Sequence, residues 1–321
     1  MNMTVKTGLI AAALAMLSIP AGAADFPTKP ITFLNGAGVG GGVDSFGRVL
    51  ASVAPDVLDG QPMIVVNKPG GGHTVALKTL ARAKPDGYTL AVVSGGSAMV
   101  GSTIRDIGLD YFGELEFVAQ IGSIIGALVV RNDGVYKTPQ DVIAAAKANP
   151  GAMRYGHSGR GALSHVAMLS WLQTNGVTMQ DVPFKGGGHS RAALIAGDID
   201  VLSTGTQQLA GFEDKVTALG IFAGTRDGAF PDIPTMAELG TAGIDVYSPV
   251  IVFAPKGTPK DVIARLEKGI ADAFENKAFQ KLARVSGLTM QYRGSEETRA
   301  LMEGLLKAWE PSLEAVKATM Q

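Results

Sequence analysis

The stretch Ile31-Thr32-Phe33-Leu34-Asn35-Gly36-Ala37-Gly38-Val39-Gly40-Gly41-Gly42-Val43-Asp44 decides the fold, because a short apolar strand pattern runs into a Gly-rich turn and then a helix pattern. Phe46, Val49, Leu50 and Val53 fall on one face of that helix. A second stretch repeats the arrangement. Met153-Arg154-Tyr155 leads into Gly156-His157-Ser158-Gly159-Arg160-Gly161-Ala162-Leu163-Ser164, followed by a helix carrying Val166, Leu169 and Leu172. Missing side chains let a ligand approach the backbone, and the free N–H groups and positive dipole end of a helix N-terminus favour an anion. Two such turns in separate halves point to one anion held between lobes.

Outward from these turns, short apolar runs alternate with helical patterns, the signature of βαβ units and parallel sheets. Strands are expected at Ile31 to Leu34, Met63 to Val66, Tyr88 to Val93, Met153 to Tyr155, Asp181 to Phe184, Asp200 to Ser203 and Val216 to Phe222. Thr138-Pro139-Gln140-Asp141 is a capping signal, and Val262, Leu266, Ile270 and Phe274 form the core stripe of a late helix. Phe117 to Val130 and Val246 to Ala254 are apolar without helical period. They read as crossings to a second lobe and back, with the C-terminal helices packed on the first lobe.

Lys6 precedes an apolar run from Gly8 to Ile19 that ends in Pro20-Ala21-Gly22-Ala23-Ala24-Asp25. That pattern predicts a signal peptide over residues 1–24, cleaved near Ala23 or Ala24, and a soluble periplasmic protein; the run is too short to span a bilayer. A mature chain of about 300 residues predicts two lobes. With no Cys, disulfides, thiol nucleophiles and Cys-ligated metals are excluded. Charges balance at 28 Lys+Arg against 29 Asp+Glu, with no basic stripe interleaved with aromatics, so no nucleic-acid partner is expected.

The chain resembles the solute receptors of bacterial tripartite tricarboxylate transporters, the Bug-type periplasmic binding proteins. The resemblance rests on Phe26-Pro27-Thr28-Lys29-Pro30-Ile31, Gly40-Gly41-Gly42-Val43-Asp44, Asn67-Lys68-Pro69-Gly70 and Pro85-Asp86-Gly87-Tyr88-Thr89-Leu90. Ser158-Gly159 with Ser164-His165, Val182-Pro183-Phe184-Lys185-Gly186, Pro231-Asp232-Ile233-Pro234-Thr235 with Glu238, and Ala254-Pro255-Lys256-Gly257-Thr258-Pro259 continue it across the mature chain. It implies an α/β, two-lobed type II binding-protein fold, each lobe a mostly parallel sheet flanked by helices. The lobes are expected at 25–120 with 250–321, and at 121–249. It also implies a monomer that closes on a small carboxylate and delivers it to membrane permease subunits, with no cofactor, metal or catalytic residue. The family usually has an apolar residue and Pro where this chain has Asn35-Gly36, Gly at His73, Tyr at Phe184 and commonly Asp at Thr204.

Candidate ligand-binding residues follow from strand ends and helix starts: Asn35, Ala37, Gly38, Gly40, Gly41 and Asp44 in the first turn; Ser94, Gly95 and Ser97 after the third strand; Ser158, Gly159, Arg160, Ser164 and His165 in the second turn; Lys185 and Thr204 at two further strand ends. Asp44 reads as a helix N-cap that orients the loop or holds a water, since an ionised Asp repels a carboxylate. Ser164 also reads as an N-cap, and His165 as either packed or in contact with ligand. Lys185 and Arg160 are alternative cationic partners.

Three other readings compete. Gly36, Gly38 and Gly41 satisfy the dinucleotide fingerprint, but the second strand ends in Asn67-Lys68 rather than an acid for ribose hydroxyls. Gly156-His157-Ser158-Gly159-Arg160 just misses the serine-hydrolase elbow, leaving Ser158 or Ser97 as weak nucleophile candidates. His157, His165 and His189 lack metal-ligand spacing, and no paired-carboxylate motif occurs. A sensory receptor with the same fold and site is the third.

Overall fold

The computed structural model describes residues 26–104, 107–241, 245 and 247–319; the expected signal peptide, residues 1–24, lies outside them. Strand β1 (Ile31–Asn35) pairs in parallel with β2 (Met63–Asn67) and β3 (Thr89–Ser94), in line with their apolar runs. Helices α1 (Gly42–Val57), α2 (Thr74–Ala81) and α3 (Gly95–Ile104) follow these strands in turn. In the other half, β5 (Arg154–His157), β6 (Gln180–Pro183) and β7 (Val201–Gly205) are likewise parallel, with α5 (Leu163–Thr174) and α6 (Gly187–Ala196) between them. Helix α4 (Pro139–Ala148) precedes β5, and its Thr138–Asp141 capping box forms as the motif requires.

Two long strands join the halves. β4 (Leu115–Arg131) and β9 (Tyr247–Pro255) pair antiparallel with each other. β9 also pairs with β3, whereas β4 pairs with β7 and with β8 (Val216–Ile221). The resulting sheet order is β2-β1-β3-β9-β4-β7-β5-β6, with β8 on β4, so the parallel flanks meet through antiparallel strands. Both crossing segments read as apolar because both faces are covered.

The cores divide accordingly. Phe33, Leu50, Ile121 and Val252 pack on one face of the first half, and Leu77, Val93, Phe117 and Phe253 on the other. Leu128, Tyr155 and Trp171 fill one face of the second half, and Ile125, Leu194 and Leu202 the other. β4 therefore leaves the first core near Ile121 and enters the second near Ile125. Helices α7 (Lys260–Glu275) and α8 (Lys277–Val285) bury Leu266, Ile270 and Phe279 in the first half beside α1. Helix α9 (Ser295–Thr319) adds Met302 there but carries Trp309 onto the second half's core. Among the described residues no helix is long and apolar enough to cross a membrane.

Candidate functional site

The C-terminal ends of β1, β3, β5 and β7 converge on a cleft that holds an inner chamber of about 80 Å³ beside an outer cavity of about 600 Å³, the two sharing wall residues. Both halves contribute to each. The first turn supplies Ala37, Gly41, Gly42 and Val43 to the inner wall; the second half supplies Ser158, Leu163, Ser164, Thr204, Gln207 and Gln208. Among the described residues none that lines the inner chamber is an Asp, Glu, Lys or Arg. Its polar surface consists of hydroxyls, two carboxamides, the His73 imidazole and backbone.

Tracing the amides shows which of them can serve a ligand. Gly36 N–H donates to Val92 O, Ala37 N–H to Asn35 Oδ1, Gly40 N–H to Asp44 Oδ2 and Gly41 N–H to Gly38 O. These donors are spent on holding the turn. The first-turn amides of α1, Gly42 and Val43, have no acceptor within their own helix, and both residues lie on the chamber wall. In α5 the equivalent position of Leu163 donates across the cleft to Ser97 Oγ at 3.2 Å, and Ser164 follows it on the wall.

Asp44 is not the N-cap of α1. Gly41 holds that position, and Asp44 sits at the third helical residue, reaching back to Gly40 N–H while bonding Arg48 and Asn67 Nδ2. Asp44 is buried and lies off both cavity walls; it builds the turn that the ligand would meet. Asn35 is corrected similarly. Instead of facing the cleft it is fully buried, clamping Ala37 N–H and Val43 O from beneath. Gly40 bends the turn at φ 74°, away from the walls. Gly95 faces the core, where a Cβ would strike Ile251 and Met302.

In the second turn Ala162, not Ser164, is the N-cap. Ser164 Oγ accepts Ser158 N–H at 3.2 Å and lies 2.8 Å from Ser158 Oγ. His165 is packed under the turn: its Nδ1 accepts Gly161 N–H, and His157 Nδ1 accepts Gly159 N–H, with the two rings 4.4 Å apart. Neither His lines the cavities. Burial pushes the His157 imidazole below its usual range, which keeps Nδ1 free to accept.

His157, His165 and Asp181 bring three potential metal ligands within 4.8 Å of one another. The tautomers argue against coordination. With both Nδ1 atoms accepting amides, each neutral ring carries its proton on Nε2, and both Asp181 oxygens are taken by Arg160 at 2.8 and 3.1 Å. This pairing also bears on the two cations. Arg160 lines the outer cavity but is committed to Asp181, whereas Lys185 is exposed on the same wall and makes no ion pair among the described residues.

Ala37, Gly38, Gly41, Ser94, Ser97, Ser158, Gly159, Arg160, Ser164, Lys185 and Thr204 thus line the cavities, while Asn35, Gly40, Asp44, Gly95 and His165 stand behind them. Ser94 is itself buried against Ser248 Oγ at 2.6 Å. Sequence reasoning missed Gln207 and Gln208, which arrive on the 3-10 turn after β7 (Thr206–Gln208), and Ser248 on β9. A polar residue in the apolar run 246–254 was the available signal for Ser248.

Comparison with known proteins matches residues 47–317 to the tripartite tricarboxylate transporter family receptor. The chain is 34% identical over 297 residues to the UPF0065 protein in the gbd 5' region of Cupriavidus necator, covering 91% of this chain and 90% of that one. The structure of periplasmic binding protein BugD matches with TM-score 0.83 at 25% identity, over 91% of this chain and 98% of that one. MatC from Rhodopseudomonas palustris with bound malate matches with TM-score 0.81 at 26% identity, over 90% and 100%.

Proposed function

The chain belongs to the tripartite tricarboxylate transporter family of receptors, and from that membership we propose that it is a periplasmic receptor that closes its two lobes over a small organic carboxylate. The observation that carries this reading is the chamber where the first turns of α1 and α5 meet. The Gly42, Val43 and Ser164 amides, with the Ser94, Ser97, Ser158 and Thr204 hydroxyls, receive the carboxylate; neutral donors at helix starts suffice for a monoanion. The malate bound by MatC supports the same ligand class.

The lobes are residues 25–120 with 250–321, and 121–249, hinged where β4 and β9 pass between cores. Closure is driven by the ligand only if it binds the closed form better than the open one, which contact with both helix starts provides. The closed monomer then docks on membrane permease subunits. Export by cleavage of the segment 1–24 fits the periplasmic setting.

A hydrolase reading has less support. Ser158 Oγ faces Ser164 Oγ, Ser97 Oγ accepts an amide, and the nearby imidazoles hold the turn instead of serving as bases. Calorimetric titration of the mature protein with mono- and dicarboxylates tests the proposal. Binding of at least one carboxylate, without turnover of esters or labelling by a fluorophosphonate, is expected. Serine labelling, or binding of nucleotides alone, contradicts it.

A further inference from the structure

The inner chamber and outer cavity share five wall residues: Ala37, His73, Ser97, Ser158 and Gly186. Four of these are small. His73 alone carries a ring, the bulkiest group at the neck where the two cavities adjoin. The chain holds it there at a conformational cost: His73 has φ 77° at the start of α2, in the left-handed region that favours glycine, and its side chain makes no capping hydrogen bond. The imidazole lies directly over Gly36, where a Cβ would come within 2.5 Å of Nδ1. The preceding Gly72 packs beside the Ser97 backbone. Nδ1 is buried against the Gly36 backbone.

The inner chamber, at about 80 Å³, is several-fold smaller than the outer cavity, at about 600 Å³, so a longer ligand extends from one into the other. The rest of a larger ligand must pass the neck into the outer cavity, toward Lys185. Resting on the carboxylate reading, we infer that His73 is a specificity-determining residue whose ring limits the cross-section of the ligand at the neck, so that slender straight-chain carboxylates are accepted and branched or aromatic ones are refused. Burial pushes the imidazole down to about 4, an effect only partly offset by the Gly36 backbone. At neutral pH the ring is uncharged and selects by shape rather than by attraction.

The test is His73→Gly, which suits the native φ and widens the neck, beside His73→Asn, which tolerates that φ and keeps a polar but smaller side chain. Each is titrated with succinate, glutarate, adipate, a branched dicarboxylate and benzoate, and melting temperature reports the fold. His73→Gly should keep its melting temperature and raise the affinity of benzoate or the branched acid relative to succinate by roughly tenfold, about 1.4 kcal/mol. His73→Asn should fall between it and the native protein. Variants that bind the panel with native affinities and native rank order overturn this inference alone. A native protein that binds no member overturns the carboxylate reading, and this inference with it.

Discussion

Leu163 N–H donates to Ser97 Oγ at 3.2 Å, so the helix start of one lobe is tied to a hydroxyl of the other across the mouth of the inner chamber. A buried hydrogen bond of this kind contributes about 0.5–1.5 kcal/mol net. Ser97→Ala should therefore weaken ligand binding by about threefold to tenfold. Small-angle scattering should show a smaller radius of gyration for the ligand-bound native protein and a lesser contraction for the variant. An unchanged radius despite tight binding by the native protein would count against a site shared by the lobes.

Gly42 and Gly40 separate ligand approach from turn geometry. A Cβ at Gly42 would meet the Gln207 carboxamide on the chamber wall, whereas at Gly40 it meets open space but at φ 74°. Gly42→Val should abolish most binding while circular dichroism stays native. Gly40→Ala should retain binding and lose about 1 kcal/mol of stability to backbone strain. Native affinity in Gly42→Val would remove the α1 start from the site.

The first turn illustrates what a sequence reveals and what it hides. The strand, the turn and the helix face of Phe46, Leu50 and Val53 were legible because apolar spacing and glycine act locally. So were the crossings, since Phe117 and Val252 belong to runs too apolar for a surface. Side-chain direction was not. Asn35 looked ligand-facing at a strand end, yet it points beneath the turn, because the buried carbonyl of Val43 and the amide of Ala37 need partners there. Gln207 and Gln208 reach the chamber from a segment with no motif, placed by the pairing of β7 with β4 over long range.

Lys185 and Arg160 can now be set apart. Lys185→Gln should weaken binding of a dianion about twofold to fivefold, an exposed-charge effect that fades as salt rises. Arg160→Gln should chiefly release Asp181 and disturb the second turn. Titration of a dicarboxylate at low and high ionic strength distinguishes them; a salt-dependent loss seen only in Arg160→Gln would reverse the assignment.

His73 and His157 set a pH dependence with a defined sign. Both imidazoles are held below their ordinary value by burial, so the unfolded chain binds more protons as pH falls through about 6.5. Their contribution is complete above that pH and is lost toward about 4 for His73, each with a slope of at most about 1.4 kcal/mol per pH unit. Asp181, held low by Arg160, acts only below the ordinary carboxylate range. Melting temperature should fall between pH 7 and 4.5, and fall less in His73→Asn; identical profiles would contradict the assignment.

The central claim is that the carboxylate sits on the helix-start amides of both lobes, and backbone amide NMR reads those groups directly. Saturating carboxylate should shift the Gly42, Val43 and Ser164 N–H resonances strongly downfield, while Gly40 and Gly41, whose donors are already spent on Asp44 and Gly38, move little. Tight binding that leaves Gly42, Val43 and Ser164 unmoved would contradict the account.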